Sequence, residues 1–274
     1  MVRRIDFFGI LTFAACLVWI ASTTSSAADP GCLLIAEPDQ GVVMEQSGDL
    51  CGERFTPASS FKIALALMGY DSGILLDAAN PRRPYKAEYK ARRRAVKRDT
   101  TPESWLANSV VWYSQVLTRE FGFDRFQAYL DAFDYGDRDL SPIEGRDDPL
   151  VSAWLSASLK ISPHEQVVFL RRLLSGKLPV SNDARDKTMA IMPRGDGGDR
   201  LAIFGKTGTG LQANADGSLN FDRQIGWYVG WAERKGKRFV FANLLVEQKK
   251  HKGAAGFRAR DAAVAELKRF LGSR

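Results

Sequence analysis

Ser59 and Lys62 stand three residues apart in Thr56-Pro57-Ala58-Ser59-Ser60-Phe61-Lys62. Thr56 can cap a helix, and Pro57 fits a first turn that has no use for its missing N–H. Ile63 to Met68 continues as an apolar helix, with Gly69 as a plausible stop. Ser59 then lies in the first turn, with Lys62 on the same face about one turn along. A serine hydroxyl is a poor nucleophile until a base takes its proton. A lysine amine serves as that base only when neutral, which requires burial among apolar groups. Phe61 and the Ile63–Met68 run supply the material for such a pocket. The free N–H groups at a helix N-terminus suit a developing oxyanion.

Two further short motifs follow in order. Ser109-Val110-Val111 offers a hydroxyl that could pass protons to a leaving group. Lys206-Thr207-Gly208-Thr209 offers a cation, a hydroxyl and a bare backbone on a strand edge, which suit a carboxylate and a neighbouring carbonyl. Each is weak alone. Ser-x-x-Lys occurs once in the chain, and the order of the three at workable spacing is far more specific.

The elements that must position these groups come from both ends of the chain. Cys32–Ala36 and Val42–Gln46 read as a hairpin around Asp39-Gln40-Gly41, leading into the Ser59 helix. Helices are predicted from Thr101-Pro102-Glu103, over Asp124–Phe133 through Phe126, Tyr129, Leu130 and Phe133, and from Ser162-Pro163-His164-Glu165 to near Gly176. After a turn at Asp196-Gly197-Gly198, strands are predicted at Leu201–Gly205, Ile225–Trp231 and Arg238–Val246, and a closing helix at Arg260–Leu271. The pattern is that of an α+β chain, its antiparallel sheet built from both termini (about 29–56 and 197–274) with a helical domain inserted (about 57–196).

The chain has 274 residues, 45% hydrophobic and 26% charged, with a formal net charge of +7. That is enough for one large or two intimately packed domains. Residues 1–28 read as a cleaved export signal: Arg3 and Arg4, then an apolar stretch from Phe7 to Ala21, then Ser26-Ala27-Ala28. The stretch is short for a membrane span, so no stable membrane insertion is expected. Export leaves Cys32 and Cys51, and an oxidising compartment favours a disulfide between them over two free thiols. Residues 82–98 carry nine basic side chains against Glu88 and read as a solvated face rather than a nucleic-acid site. His164 and His251 are the only histidines, and no metal-ligand spacing is present, so a metal centre is not expected.

The motif order resembles that of the penicilloyl-serine enzymes, and the details are similar to the class D (oxacillinase-type) β-lactamases. Pro57-Ala58-Ser59-Ser60-Phe61-Lys62, Ser109-Val110-Val111, Tyr135-Gly136-Asp137, Trp154-Leu155, Leu159-Lys160-Ile161-Ser162-Pro163, Phe204-Gly205-Lys206-Thr207-Gly208 and Gly226–Trp231 carry the likeness across the mature chain. There is no Ser-Asp-Asn, which argues against class A. The resemblance implies a periplasmic enzyme with β-lactam substrates, penicillins with cephalosporins or carbapenems left open, and no cofactor beyond carbon dioxide or bicarbonate to carboxylate Lys62. It implies that Ser59 is acylated and that Trp154 hydrogen-bonds the Lys62 carbamate, with Val111 and Leu155 flanking it. The Ser59 and Thr209 N–H groups would form the oxyanion hole, and Lys206, Thr207 and Arg258 would hold the substrate carboxylate. Asp137 stands where the class usually has asparagine, and is expected at the rim of the site. The basic run lacks the class's tryptophan-bearing turn. A β-lactam sensor or penicillin-binding protein that acylates without deacylating shares the same motifs. Substrate range, and monomer against homodimer, stay open.

Overall fold

The computed structural model describes residues 29–272, apart from 40, 146–147 and 199–200. The predicted leader, and Gln40 of the first turn, lie outside the described residues. Strands β1 (Gly31–Ala36) and β2 (Val43–Ser47) form the predicted hairpin. Strands β3 (Arg194–Asp196), β4 (Leu201–Ala213), β5 (Leu219–Arg234) and β6 (Lys237–Val246) come from the other end of the chain. All pairings are antiparallel, in the order β2-β1-β6-β5-β4-β3. The β1–β6 pairing, Cys32 opposite Leu244 and Leu34 opposite Ala242, joins the two ends.

Successive side chains of a strand point to opposite faces, and both faces of this sheet are covered. Leu33 and Ile35 of β1 pack with Tyr228, Phe241 and the closing helix α8 (Ala255–Gly272) through Ala259, Ala263 and Leu267. Cys32, Leu34 and Ala36 face the other way, into a larger core shared with Trp227, Val229 and Trp231 of β5 and with the helical part. That part comprises α1 (Lys62–Asp71), α2 (Pro102–Asn108), α3 (Val111–Phe121), α4 (Phe123–Phe133), α5 (Pro149–Ser152), α6 (Pro163–Leu174) and α7 (Asn182–Ala190). A buried disulfide joins Cys32 to Cys51 and ties β1 to the segment that leads to Ser59. No helix among the described residues is long and apolar enough to cross a membrane.

Two predicted helix starts carry capping boxes, Thr101 with Ser104 and Ser162 with Glu165. Two local expectations need correction. Thr56 caps no helix: its hydroxyl donates to the Trp154 carbonyl at 2.9 Å and accepts from the Ser156 N–H at 2.9 Å. Gly69 does not stop α1, which continues to Asp71. A Cβ at Gly69 would come within 2.6 Å of Leu75 Cδ1, so the glycine makes room for a neighbouring side chain rather than for a left-handed cap.

Candidate active site

Ser59 lies in a 3₁₀ turn, Ala58–Phe61, that runs directly into α1. Several bonds from distant elements hold this turn. Ser60 Oγ donates to the Pro57 carbonyl at 2.7 Å and accepts from Gln166 Nε2 of α6 at 3.1 Å. Trp227 Nε1 of β5 donates to the Thr56 carbonyl at 2.9 Å. Ala58, at φ 49°, is a non-glycine residue in the left-handed region immediately before the serine, a conformation that persists only where the surroundings over-determine it. Burial of Ala58 beside Gly210 meets that condition.

Lys62 is 0% exposed and its Nζ is hydrogen-bonded to Ser59 Oγ at 3.1 Å. Burial holds its pKa well below the usual lysine value, and the nearby Lys206 and Arg93 charges push in the same direction. A lysine amine with a lowered pKa in contact with the serine hydroxyl is what the Ser-x-x-Lys spacing calls for. Phe61 packs against Tyr135, Trp154 and Phe126, which builds the apolar wall the sequence provides for.

Lys206 sits on β4 beyond the short β3, which pairs with β4 only at Ala202–Phe204, so Lys206–Thr209 occupy a strand edge. Its Nζ donates to Ser109 Oγ at 3.1 Å and to the Thr207 carbonyl at 2.9 Å. Burial, with a smaller effect from Arg93, lowers its pKa to about 7. Ser109 is left-handed, φ 54°, at the tight junction between α2 and α3. Gly208 explains how the strand edge comes close to the Ser59 turn. A Cβ there would lie 2.8 Å from the Pro57 carbonyl oxygen and 3.0 Å from the Ser60 nitrogen. Thr209 Oγ1 accepts from the Gly256 N–H at 3.0 Å, which seats the start of α8 against the same edge.

The structure thus brings Ser59, Lys62, Ser109 and Lys206 together with the β4 edge. Val111, Leu155 and Thr209 line one cleft beside them. Trp154 is fully buried, and its indole N–H has no hydrogen-bond partner among the described residues. A buried donor without an acceptor is uncommon in folded proteins and calls for an explanation. Arg258 is placed differently from its expected task. Its Nη2 and Nε meet Glu247 Oε1 at 2.5 and 2.6 Å, and its Nη1 donates to the Lys252 carbonyl at 2.6 Å. Those contacts direct the guanidinium toward the β6–α8 loop rather than to Lys206 or Thr207. Asp137 accepts from the backbone N–H groups of Lys160 and Asp139 at 2.9 and 3.3 Å, so its carboxylate is engaged by the backbone, and burial raises its pKa.

Sequence reasoning misses the bracing residues Thr56, Ser60 and Gln166, and it misses Glu247. Their bracing roles leave no local signal, because the partners lie about a hundred residues away or across a loop. The solvated-face reading of the basic run needs amendment. Most of its side chains are exposed, but Arg93 donates to the Asn108 and Ser109 carbonyls at 2.7 and 3.3 Å and lines the cleft.

The six-stranded antiparallel sheet thus carries the Ser-x-x-Lys turn against β4, where the short β3 leaves that strand uncovered. Residues 31–267 match the family described as the penicillin binding protein transpeptidase domain. The β-lactamase OXA-9 of Klebsiella pneumoniae is 37% identical over 274 residues, covering 99% of this chain and 100% of that protein. The β-lactamase OXA-1 of Escherichia coli is 34% identical over 218 residues, covering 78% and 75% respectively. The crystal structure of the OXA-427 class D β-lactamase matches with a TM-score of 0.82 at 47% identity, over 89% of this chain and 99% of that one. The chain belongs to the class D β-lactamase family.

Proposed function

We propose that this chain hydrolyses the amide of β-lactam antibiotics, penicillins first, through an acyl-enzyme on Ser59. The observation that carries this reading is the fully buried Lys62 amine 3.1 Å from Ser59 Oγ. A buried, neutral amine beside a serine at a braced turn has no evident packing role and a direct chemical one.

Ser59 Oγ attacks the lactam carbonyl carbon, and its proton passes toward Lys62. The Ser59 and Thr209 N–H groups donate to the carbonyl oxygen as it gains negative charge. The ring C–N bond then breaks, and Ser109, held by Lys206, is placed to hand a proton to the departing nitrogen. Lys206 and the Thr207 hydroxyl take the substrate's ring carboxylate. Carbon dioxide added to the Lys62 amine would supply a carbamate, a stronger general base able to activate water for deacylation. Two features support that group: burial lowers the pKa of the Lys62 amine and so favours the neutral form that reacts with carbon dioxide, and Trp154 carries an unsatisfied buried N–H suited to hold a carboxylate. Val111 and Leu155, half-buried in the cleft wall, limit water access to it. The leader-like residues 1–28 and the Cys32–Cys51 bond support action in the periplasm.

The test is hydrolysis of a chromogenic cephalosporin by the purified mature chain, with and without bicarbonate. Turnover that rises with bicarbonate is expected. A single stoichiometric burst would keep Ser59 as nucleophile but assign the protein to the acyl-trapping sensors and penicillin-binding proteins. No reaction at all would remove the activity.

A further inference from the structure

Part of the basic run forms a wall of the substrate cleft. Tyr89, Lys90, Arg92 and Arg93 line it together with Thr209 and Leu211 of β4. The segment is anchored there. Tyr89 stacks on Trp112 with ring centroids 5.0 Å apart and planes 10° from parallel, and Trp112 Nε1 donates to the Val96 carbonyl at 2.8 Å. Arg93 Nη2 reaches the carbonyls of Asn108 and Ser109, which fixes the guanidinium at the Ser109 turn. Its Nε and Nη1 make no hydrogen bond among the described residues, so half of its donor fork is unused. The other charged residues of the cleft are Lys90, Arg92, Arg119, Glu88 and Asp148. Arg119 pairs with Asp148 at 3.3 Å, and Glu88 with Lys86 at 3.7 Å. Among the described residues, the charges left without an ion pair there are all positive: Lys90, Arg92 and Arg93.

We infer that Arg93, with Lys90 and Arg92 beside it, forms an anion-binding subsite for the substrate's acylamino side chain, so that β-lactams with a second carboxylate on that side chain are favoured. The inference rests on the proposed hydrolysis at Ser59, with the ring carboxylate at Lys206 and Thr207. With that carboxylate at Lys206 and the carbonyl at the Thr209 N–H, the side chain extends along β4 past Thr209 toward Leu211, while Arg93, held at the Ser109 turn, stands near Lys206 as well. That direction leads into the cleft whose opposite wall holds Arg93. A guanidinium with a free edge matches the two oxygens of a carboxylate, which lysine at the same place would meet as a point charge. Because Arg93 is exposed, salt screens the attraction.

Carbenicillin is benzylpenicillin with one added carboxylate on the side-chain methylene, so the pair isolates this contact. The measurement is the ratio of kcat/KM for carbenicillin to that for benzylpenicillin, with the mature enzyme, its Arg93→Gln variant and its Arg93→Lys variant. Arg93→Gln is expected to lower the ratio about five- to tenfold, the loss of one charge-assisted contact at a solvent-accessible site. Arg93→Lys, which keeps the charge but not the fork, is expected to fall between the native enzyme and Arg93→Gln. In the wild-type enzyme the ratio should fall as ionic strength rises from about 0.05 to about 0.5 M. An equal loss for both penicillins would show that Arg93 only props the Ser109 turn, and would overturn the subsite. A wild-type ratio insensitive to salt would overturn it too. A wild-type enzyme that is acylated by neither penicillin refutes the reading of Ser59 itself, before any variant is made, and the subsite with it.

Discussion

Lys206 Nζ donates to Ser109 Oγ at 3.1 Å, joining the free edge of the sheet to the α2–α3 junction at the centre of the site. Burial and the Arg93 charge bring this lysine to about pH 7, so near neutrality it is poised between cation and amine. A bound substrate carboxylate favours the cation, which couples binding to proton uptake. The expected sign follows. Below about 7 the cation is already present and binding is insensitive to pH. Above it, each further pH unit raises the cost of protonating Lys206, so KM should climb between about pH 7 and pH 9. Lys206→Arg, charged throughout this range, should flatten that climb while lowering kcat. A KM independent of pH in the native enzyme would contradict the assignment.

Lys62 carries an opposite relation between activity and stability. With bicarbonate excluded, burial holds the folded pKa of this amine well below the ordinary lysine value of 10.5, so the unfolded state binds more protons between the two. Wild-type stability should therefore rise with pH up to about 10.5. Lys62→Met removes both the buried amine and this dependence. We expect the variant to lose hydrolysis, yet to unfold with a free energy about 1–2 kcal/mol higher at pH 7, a gap that narrows as pH increases. Urea melts at three pH values measure it. A variant less stable than the native enzyme at pH 7 would mean that the amine makes a stabilising contact.

Trp154→Phe deletes one N–H and leaves most of the ring's packing against Phe61 and Phe126. In the apoprotein that N–H has no partner, so no hydrogen bond is lost and the melting temperature should fall only by the small cost of the space the lost ring leaves. If it holds a carboxylate on Lys62, kcat should fall about 10- to 100-fold, the scale typical of lost outer-shell support, with part of the loss recovered at high bicarbonate. Loss of stability without a change in bicarbonate dependence would make Trp154 a packing residue only.

The sequence exposes the parts of this fold that are local. Ser59 and Lys62 announce themselves through spacing, the β1–β2 hairpin through its turn, and α2 and α6 through their caps. The length of β4 is hidden, because Gly205, Gly208 and Gly210 have weak strand propensity. Those glycines are there for close approach: Gly208 to the Pro57 carbonyl, Gly210 to Thr56 Cγ2. The early start of α8 at Ala255 is hidden for a similar reason, since Gly256 fits against the Gly208 carbonyl and Thr209 Oγ1. The placement of residues 82–98 is set by a Tyr89–Trp112 stack across 23 residues, which periodicity does not register. Hence the contact between Ser59 and Lys62 is legible from sequence, and the walls of the cleft are not.

Arg258 tests where sequence expectation and structure part. Its match to the family motif points to the substrate carboxylate, while its guanidinium is bonded to Glu247, which is 0% exposed. Removing Arg258 alone strands a buried carboxylate, so Arg258→Ala should cost stability, about 3 kcal/mol by comparison with other broken buried pairs. Glu247→Gln should restore much of that loss in the double variant, because a neutral amide tolerates the missing partner. Kinetics then separate the roles. If Arg258 only closes the loop over Glu247, the double variant regains its KM along with its stability. If Arg258 also draws in the substrate carboxylate, KM stays raised after stability returns. Thermal melts and KM for one penicillin across the four proteins decide between the two, and the contacts of Arg258 in this structure lead us to expect the first.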